Sequence, residues 1–291
     1  MSFLYPAAMR PSRTVLVVGI AATGCACSLI VDTGSLSGGS VPGDDGGDVR
    51  GDASDASFSQ DGEAGARCSD GQTEPSHVLY LPFDEESGTI ATDCSGRGND
   101  GTVLGSVTGT RAAGHSGKAI QLDGTRTCVD LGTPSDFILT GPFTVAAWIK
   151  VDEYEVPAPA NDSRAILSKT ASPTDSGWRF VTQGAGSTTG IGFKVGSAAG
   201  SSIAVTSPTP QPVSTWLHAA GVWVPNERAE VYVGGALVKK DTTIPPILED
   251  AKQTLYAGCV RPGAQHFKGT MDELRIYNRA LTQAEIAVLA R

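Results

Sequence analysis

Two groups of acids in this chain sit close enough together to suggest chemistry: Asp152-Glu-Tyr-Glu155 and Asp272-Glu273. Cleaving a glycosidic bond needs two carboxyls facing one cleft, one acting as acid and the other as nucleophile or base. The first group follows Trp148-Ile-Lys-Val151 and precedes Pro157 and Pro159, so it falls where a strand leaves for a loop. Asp272 and Glu273 are adjacent, and adjacent strand residues point to opposite faces. Neither group has the arrangement that acid–base cleavage requires, so the chain is expected not to be an enzyme. His77, His115, His218 and His266 lack metal-binding spacing, and no G-x-S-x-G nucleophile turn is present. His218 lies in an apolar stretch and reads as structural.

The tryptophans offer a different chemistry, since an indole can either stack on a sugar ring or fill a core. Trp148 and Trp216 sit inside apolar runs and are expected in the core. Trp178 follows Ser176-Gly177 and Trp223 precedes Pro225-Asn226, next to loops. Together with Arg179, these two are the candidate ligand-binding residues.

The elements that must position these residues are short strands. His77–Phe83, Thr102–Leu104, Ala119–Asp123, Cys128–Leu131, Phe143–Ile149, Arg164–Lys169, Gly177–Val181, Gly190–Val195, Trp216–Trp223, Glu230–Val233, Ala236–Val238 and Thr254–Ala257 all read as strands separated by turn residues. Phe143–Ile149 is the most apolar and is expected at the centre of a sheet. Gly234-Gly235 reads as a two-residue hairpin turn. Met271–Tyr277 forms a closing strand that completes the sheet begun by the first. Thr282 and Glu285 have capping-box spacing for a short final helix. More than ten strands and no internal repeat point to one all-β, two-sheet sandwich.

Pairing Thr102–Leu104 with Ala119–Asp123 as a hairpin places Cys94 opposite Cys128. A disulfide is expected there, which leaves Cys68 to pair with Cys259.

Charge and composition narrow the class. The net charge of −9 argues against phosphate-backbone binding, so nucleic acid is excluded as a partner. The 36 glycines and an aromatic content of 6% suit a turn-rich β protein. Residues 32–66 hold eight carboxylates against Arg50 alone, with Phe58 their one aromatic, and read as a disordered acidic Gly/Ser/Asp tether. Before it, Arg10 and Arg13 precede an apolar run from Thr14 to Gly24, too short to span a bilayer core of about 30 Å. Residues 1–24 read as a secretory signal peptide. Ala22-Thr-Gly-Cys25 resembles the lipobox of bacterial lipoproteins, with residues 25–31 as the lipidation region. This implies acylation at Cys25, with Cys27 as the alternative, and an exported protein lipid-anchored at the outer membrane or cell surface.

Seven pieces in order resemble one family: Leu79-Tyr-Leu-Pro-Phe-Asp84, Asp93-Cys-Ser-Gly-Arg-Gly-Asn-Asp-Gly101, Gly117-Lys-Ala-Ile-Gln-Leu-Asp-Gly124, Phe143-Thr-Val-Ala-Ala-Trp148, Trp216-Leu-His-Ala-Ala220, Val231-Tyr-Val-Gly-Gly235 and Gly269 to Leu281. The family is the laminin-G-like jelly roll of the concanavalin A-like lectin/glucanase superfamily. The resemblance implies a jelly-roll domain over residues 67–291 with a short C-terminal helix. It also implies a non-catalytic module that binds a glycan or cell-envelope component, with a carbohydrate-active enzyme or a structural adhesion protein as alternatives. It further implies a structural Ca²⁺ held by Asp84, Gly124 and Asp272.

Overall fold

A computed structural model describes residue 68 and residues 74–105, 110–154, 163–170, 177–185, 188–196, 202–208, 211–242, 244 and 253–291. The expected signal peptide, lipidation region and tether, with Cys25 and Cys27, lie outside the described residues. The described residues all fall within one compact unit, Ser59–Arg291.

In chain order the strands are β1 (His77–Leu81), β2 (Ile90–Ala91), β3 (Gly101–Leu104), β4 (Arg111–Ala113), β5 (Lys118–Asp123), β6 (Cys128–Asp130), β7 (Phe143–Val151), β8 (Ser163–Lys169), β9 (Gly177–Ala185), β10 (Thr188–Gly196), β11 (Ser202–Thr206), β12 (Trp216–Val224), β13 (Arg228–Val233), β14 (Ala236–Asp241), β15 (Tyr256–Ala257) and β16 (Lys268–Tyr277). Helix α1 (Gln283–Leu289) follows. The first sheet runs β14-β13-β12-β7-β16-β5-β4, with β1 also paired to β16. The second runs β11-β10-β9-β8-β15-β6-β3-β2. All the strand pairs are antiparallel. This is the expected jelly-roll sandwich, with β7 central and the closing strand β16 between β1, β5 and β7.

Alternation along each strand builds the core between the sheets. Phe143, Val145, Ala147 and Ile149 of β7 point inward with Met271, Leu274 and Ile276 of β16. Trp178, Phe180 and Phe193 meet them from the second sheet. Gly221 is required here, because a Cβ on it would sit 2.5 Å from the Phe193 ring. A second, smaller core lies on the outer side of the first sheet, where α1 packs Ile286 against Ala146, Ala220, Val222, Tyr232 and Tyr277. The helix starts as expected: the Thr282 hydroxyl accepts from Glu285 N–H and the Glu285 carboxylate accepts from Thr282 N–H. Gly234 and Gly235 take φ values of 56° and 78°, the two positive angles of a tight hairpin turn between β13 and β14.

The disulfides differ from the expected pairing. Cys68 bonds Cys94 and Cys128 bonds Cys259, with Cα separations of 5.3 and 5.7 Å. The cause is the partner of β3. It pairs with β6, placing Leu104 opposite Cys128, while β5 belongs to the other sheet and pairs with β4 and β16. The Cys94–Cys128 register therefore does not exist. Asp93 instead arranges the loop around Cys94, its carboxylate accepting from the backbone N–H groups of Tyr80, Ser95 and Asn99.

Candidate functional site

The residues singled out for ligand binding are not brought together. Trp178 and Trp223 are each only 1% exposed, and both pack against Phe193 in the core. Arg179 points the other way from Trp178, on the outer face of the second sheet, and its Nη1 donates to Gln265 Oε1 at 3.2 Å. Burial pushes the Arg179 pKa down. Neighbouring loop residues suggested exposure for the two tryptophans, but strand parity decides it. Trp178 shares its side with Phe180, and Trp223 shares its side with Ala219.

The same parity sends the supposed core tryptophans outward. On β7 the even residues Thr144, Ala146, Trp148 and Lys150 alternate with the inward odd ones, and on β12 Trp216 and His218 face the same side. Cross-strand register orders this outer face into rows. Gln121, Thr270, Lys150 and Trp216 form one, from β5 to β12. Asp272, Trp148 and His218 form the next. Tyr80, Arg275, Ala146, Ala220 and Tyr232 form a third, where α1 begins to cover the sheet. The helix ends at the second row, its Leu289 carbonyl accepting from Trp148 Nε1 at 3.2 Å.

Between the end of α1 and the β4–β5 turn lies a cleft of about 410 Å³, lined by His115, Ser116, Trp148, Glu273, Arg275 and Arg291. The exposed His115 ring stacks on the Trp148 indole, centroids 3.5 Å apart and planes within 10°. Trp216 meets the edge of His115 at 6.2 Å, and Lys150 Nζ lies 5.2 Å over the Trp216 ring. A β-bulge in β16, where Glu273 has φ 53°, interrupts the register between Asp272 and Arg275. It overturns the expectation that Asp272 and Glu273 face opposite sides. Glu273 reaches the cleft, where it pairs with Arg275 and accepts from the Tyr80 hydroxyl at 3.1 Å. The Arg275 guanidinium lies 4.1 Å over the Tyr80 ring. Sequence alone hides this bulge, because Met271 to Tyr277 reads as an uninterrupted strand.

Asp272 is fully buried beneath the cleft and holds its wall in place. Its Oδ2 accepts from the backbone N–H groups of His115 and Ser116 at 2.8 and 3.0 Å, and its Oδ1 from that of Glu273 at 2.8 Å. Gly114 is obligatory beside it, since a Cβ there would sit 2.7 Å from Oδ2. Burial, the largest influence, pushes the Asp272 pKa up to about 7. His218, behind Trp148, is pushed down to about 4, mainly by burial. Asp84 holds the other end of the same turn, accepting from Lys118 N–H at 2.8 Å.

The expected calcium ligands thus split. Asp84 and Asp272 flank the β4–β5 turn and spend carboxylate oxygens on its backbone N–H groups. Gly124 lies at the opposite end of β5, roughly 20 Å along the strand from Lys118. These three residues do not fit one Ca²⁺ coordination sphere, which needs six to eight oxygens within about 2.6 Å of the ion.

A laminin-G family model described as concanavalin A-like lectin/glucanases superfamily matches residues 123–287. No curated protein matches the chain. Among solved structures, domain 4 of AbnA, a GH43 extracellular arabinanase from Geobacillus stearothermophilus in complex with arabinotriose, is similar at 25% identity and a TM-score of 0.60, covering 74% of this chain and 98% of that one. The binding domain of Paraclostridial mosquitocidal protein 1 is similar at 15% identity and 0.59, covering 75% of this chain. The receptor-binding domain of botulinum neurotoxin C/D mosaic serotype is similar at 12% and 0.57, covering 74%. This chain spans about half the length of those two toxin domains, 52% and 51%, and at such identities the likeness shows the fold alone.

Proposed function

Because the chain belongs to the concanavalin A-like lectin/glucanases superfamily, we propose that its jelly roll is a non-catalytic carbohydrate-binding module working through the outer face of the first sheet. The observation that carries this reading is the His115–Trp148 stack at the floor of an open cleft flanked by Glu273, Arg275 and Arg291. A flat ring surface beside charged donors and acceptors is what a sugar's C–H face and hydroxyls require. The arabinanase domain in complex with arabinotriose, similar along nearly its whole length, supports the same ligand class. A shallow site of this kind binds at roughly micromolar to millimolar Kd, about −8 to −4 kcal/mol.

One observation favours an enzymatic reading: a carboxyl with its pKa raised to about 7, Asp272, next to a second at the cleft, Glu273. The geometry weighs against it. Asp272 is closed to solvent and holds three N–H groups, so it reaches no glycosidic oxygen. Attachment to the cell envelope through a lipid at Cys25 or Cys27 is part of the proposal. It draws support from the apolar run before those cysteines and from two disulfides, which suit an oxidising, extracellular setting.

The test is retention of the full chain on insoluble arabinan, xylan and cellulose, alongside titration with linear arabino-, xylo- and cello-oligosaccharides and an assay for released reducing sugar. Retention without release is expected. Catalytic release of sugar would refute the non-catalytic half, and failure to bind any of them would refute the binding half.

A further inference from the structure

On the carbohydrate-binding reading, the geometry points to an extended, linear oligosaccharide as the ligand, lying across the strands of the first sheet along the row of Gln121, Lys150 and Trp216, with the fully buried Thr270 supporting Gln121 from below.

Helix α1 covers only part of the outer face. Its small core takes in Ala146, Ala220, Val222 and Tyr277, and it ends where Leu289 meets Trp148. The row from Gln121 to Trp216 lies beyond that end, one step along the strands from the row of Asp272 and Trp148. Four strands spaced about 4.8 Å apart make this row roughly 14 Å long, which a trisaccharide fills and a monosaccharide does not.

The chemistry along the row suits a neutral polyhydroxyl chain. Gln121 is held at both ends of its amide: its Oε1 accepts from Thr270 Oγ1 at 2.9 Å, and its Nε2 donates to Asp152 Oδ2 at 3.2 Å. One Nε2 hydrogen stays available, and the exposed Asp152 keeps acceptor capacity. Lys150 makes no ion pair among the described residues. Its ammonium instead sits over Trp216, bringing a donor and an indole to one point of the row. The charge of Lys150 is balanced beside the row by the exposed Asp152. His115 joins the two rows, since its ring stacks on Trp148 and meets Trp216 edge-on. A chain engaged at the His115–Trp148 cleft therefore continues onto Trp216 without crossing a gap.

The experiment titrates the full chain with the mono-, tri- and hexasaccharide of the arabino, xylo and cello series. In whichever series binds, affinity is expected to rise at least about tenfold from mono- to trisaccharide, about 1.4 kcal/mol, and to level off by the hexasaccharide. Trp216→Ala and the milder Gln121→Ala, each checked for an unchanged melting profile, should abolish that gain, and Gln121→Ala, remote from the His115–Trp148 stack, should leave monosaccharide affinity intact. Equal affinity for mono- and hexasaccharide, or a length gain that survives both substitutions, would overturn the extended row and leave the carbohydrate-binding reading standing. Failure of all three series to bind would overturn the reading beneath it as well.

Discussion

Asp272 and His218 are buried on either side of Trp148 in one cross-strand row, and their titrations push stability in opposite directions. The folded Asp272 carboxyl titrates at about 7 instead of 3.8, because burial disfavours its charge. Between these values the folded state holds a proton that the unfolded state has lost. Stability therefore falls as pH rises from 3.8 to 7, by about 1.4 kcal/mol per unit and about 4 kcal/mol in all. His218 titrates at about 4 instead of 6.5. There the unfolded state takes the proton first, so stability falls as pH drops from 6.5 to 4, by about 3 kcal/mol. In the native protein the two contributions nearly cancel across that window. Asp272→Asn removes one of them. It also turns an amide N–H toward Glu273 N–H or one of the turn's donors, a pH-independent cost of about 1–3 kcal/mol. Urea unfolding at half-unit steps from pH 4 to 7 is the assay. The stability difference, native minus variant, should shrink by about 4 kcal/mol from pH 4 to 7, because across that range Asp272 releases its proton in the unfolded chain while the folded protein keeps it, and the variant has no such proton to lose. His218→Gln should show the opposite trend, its difference growing as pH rises. Parallel curves for native protein and both variants would refute this account of the buried pair.

Four further outcomes are expected. Non-reducing peptide mapping should find Cys68 joined to Cys94 and Cys128 to Cys259; Cys128→Ser should destabilise by about 5 kcal/mol, the chain-entropy value for a loop of 131 residues. Trp178→Ala should cost about 3–5 kcal/mol on denaturation yet leave sugar affinity unchanged in whatever fraction stays folded, since the ring fills the core. Thr282→Ala should lower stability by about 1 kcal/mol through loss of the capping box on α1, read as a drop in melting temperature. EDTA should leave the melting temperature unmoved, because backbone N–H groups already occupy the oxygens of Asp84 and Asp272 that face the β4–β5 turn.

The jelly roll was legible in the sequence because its signals are local. Alternating apolar residues mark β7, paired glycines mark the β13–β14 turn, and Thr282 with Glu285 marks the start of α1. The site was harder to see for two physical reasons. Loop neighbours suggested exposure for Trp178 and Trp223, whereas inward parity buries both. Parity was also the signal that could have found the true face, since Trp148 falls out of step with Val145, Ala147 and Ile149 on β7. The second reason is that pairing between distant strands leaves no local trace. The register of β3 with β6, which sets the disulfides, and the bulge that turns Glu273 into the cleft both arise from contacts far apart in sequence.

The four tryptophan indoles give the most direct test of the central claim. Trp148 and Trp216 lie on the proposed sugar face, and Trp178 and Trp223 lie in the core. Indole N–H signals followed by ¹⁵N–¹H NMR during titration with the arabino, xylo and cello hexasaccharides distinguish the two pairs in one spectrum. Shifts at Trp148 and Trp216 with Trp178 and Trp223 unmoved are the predicted result. Shifts confined to Trp178 and Trp223, or no shift at saturating sugar, would contradict it.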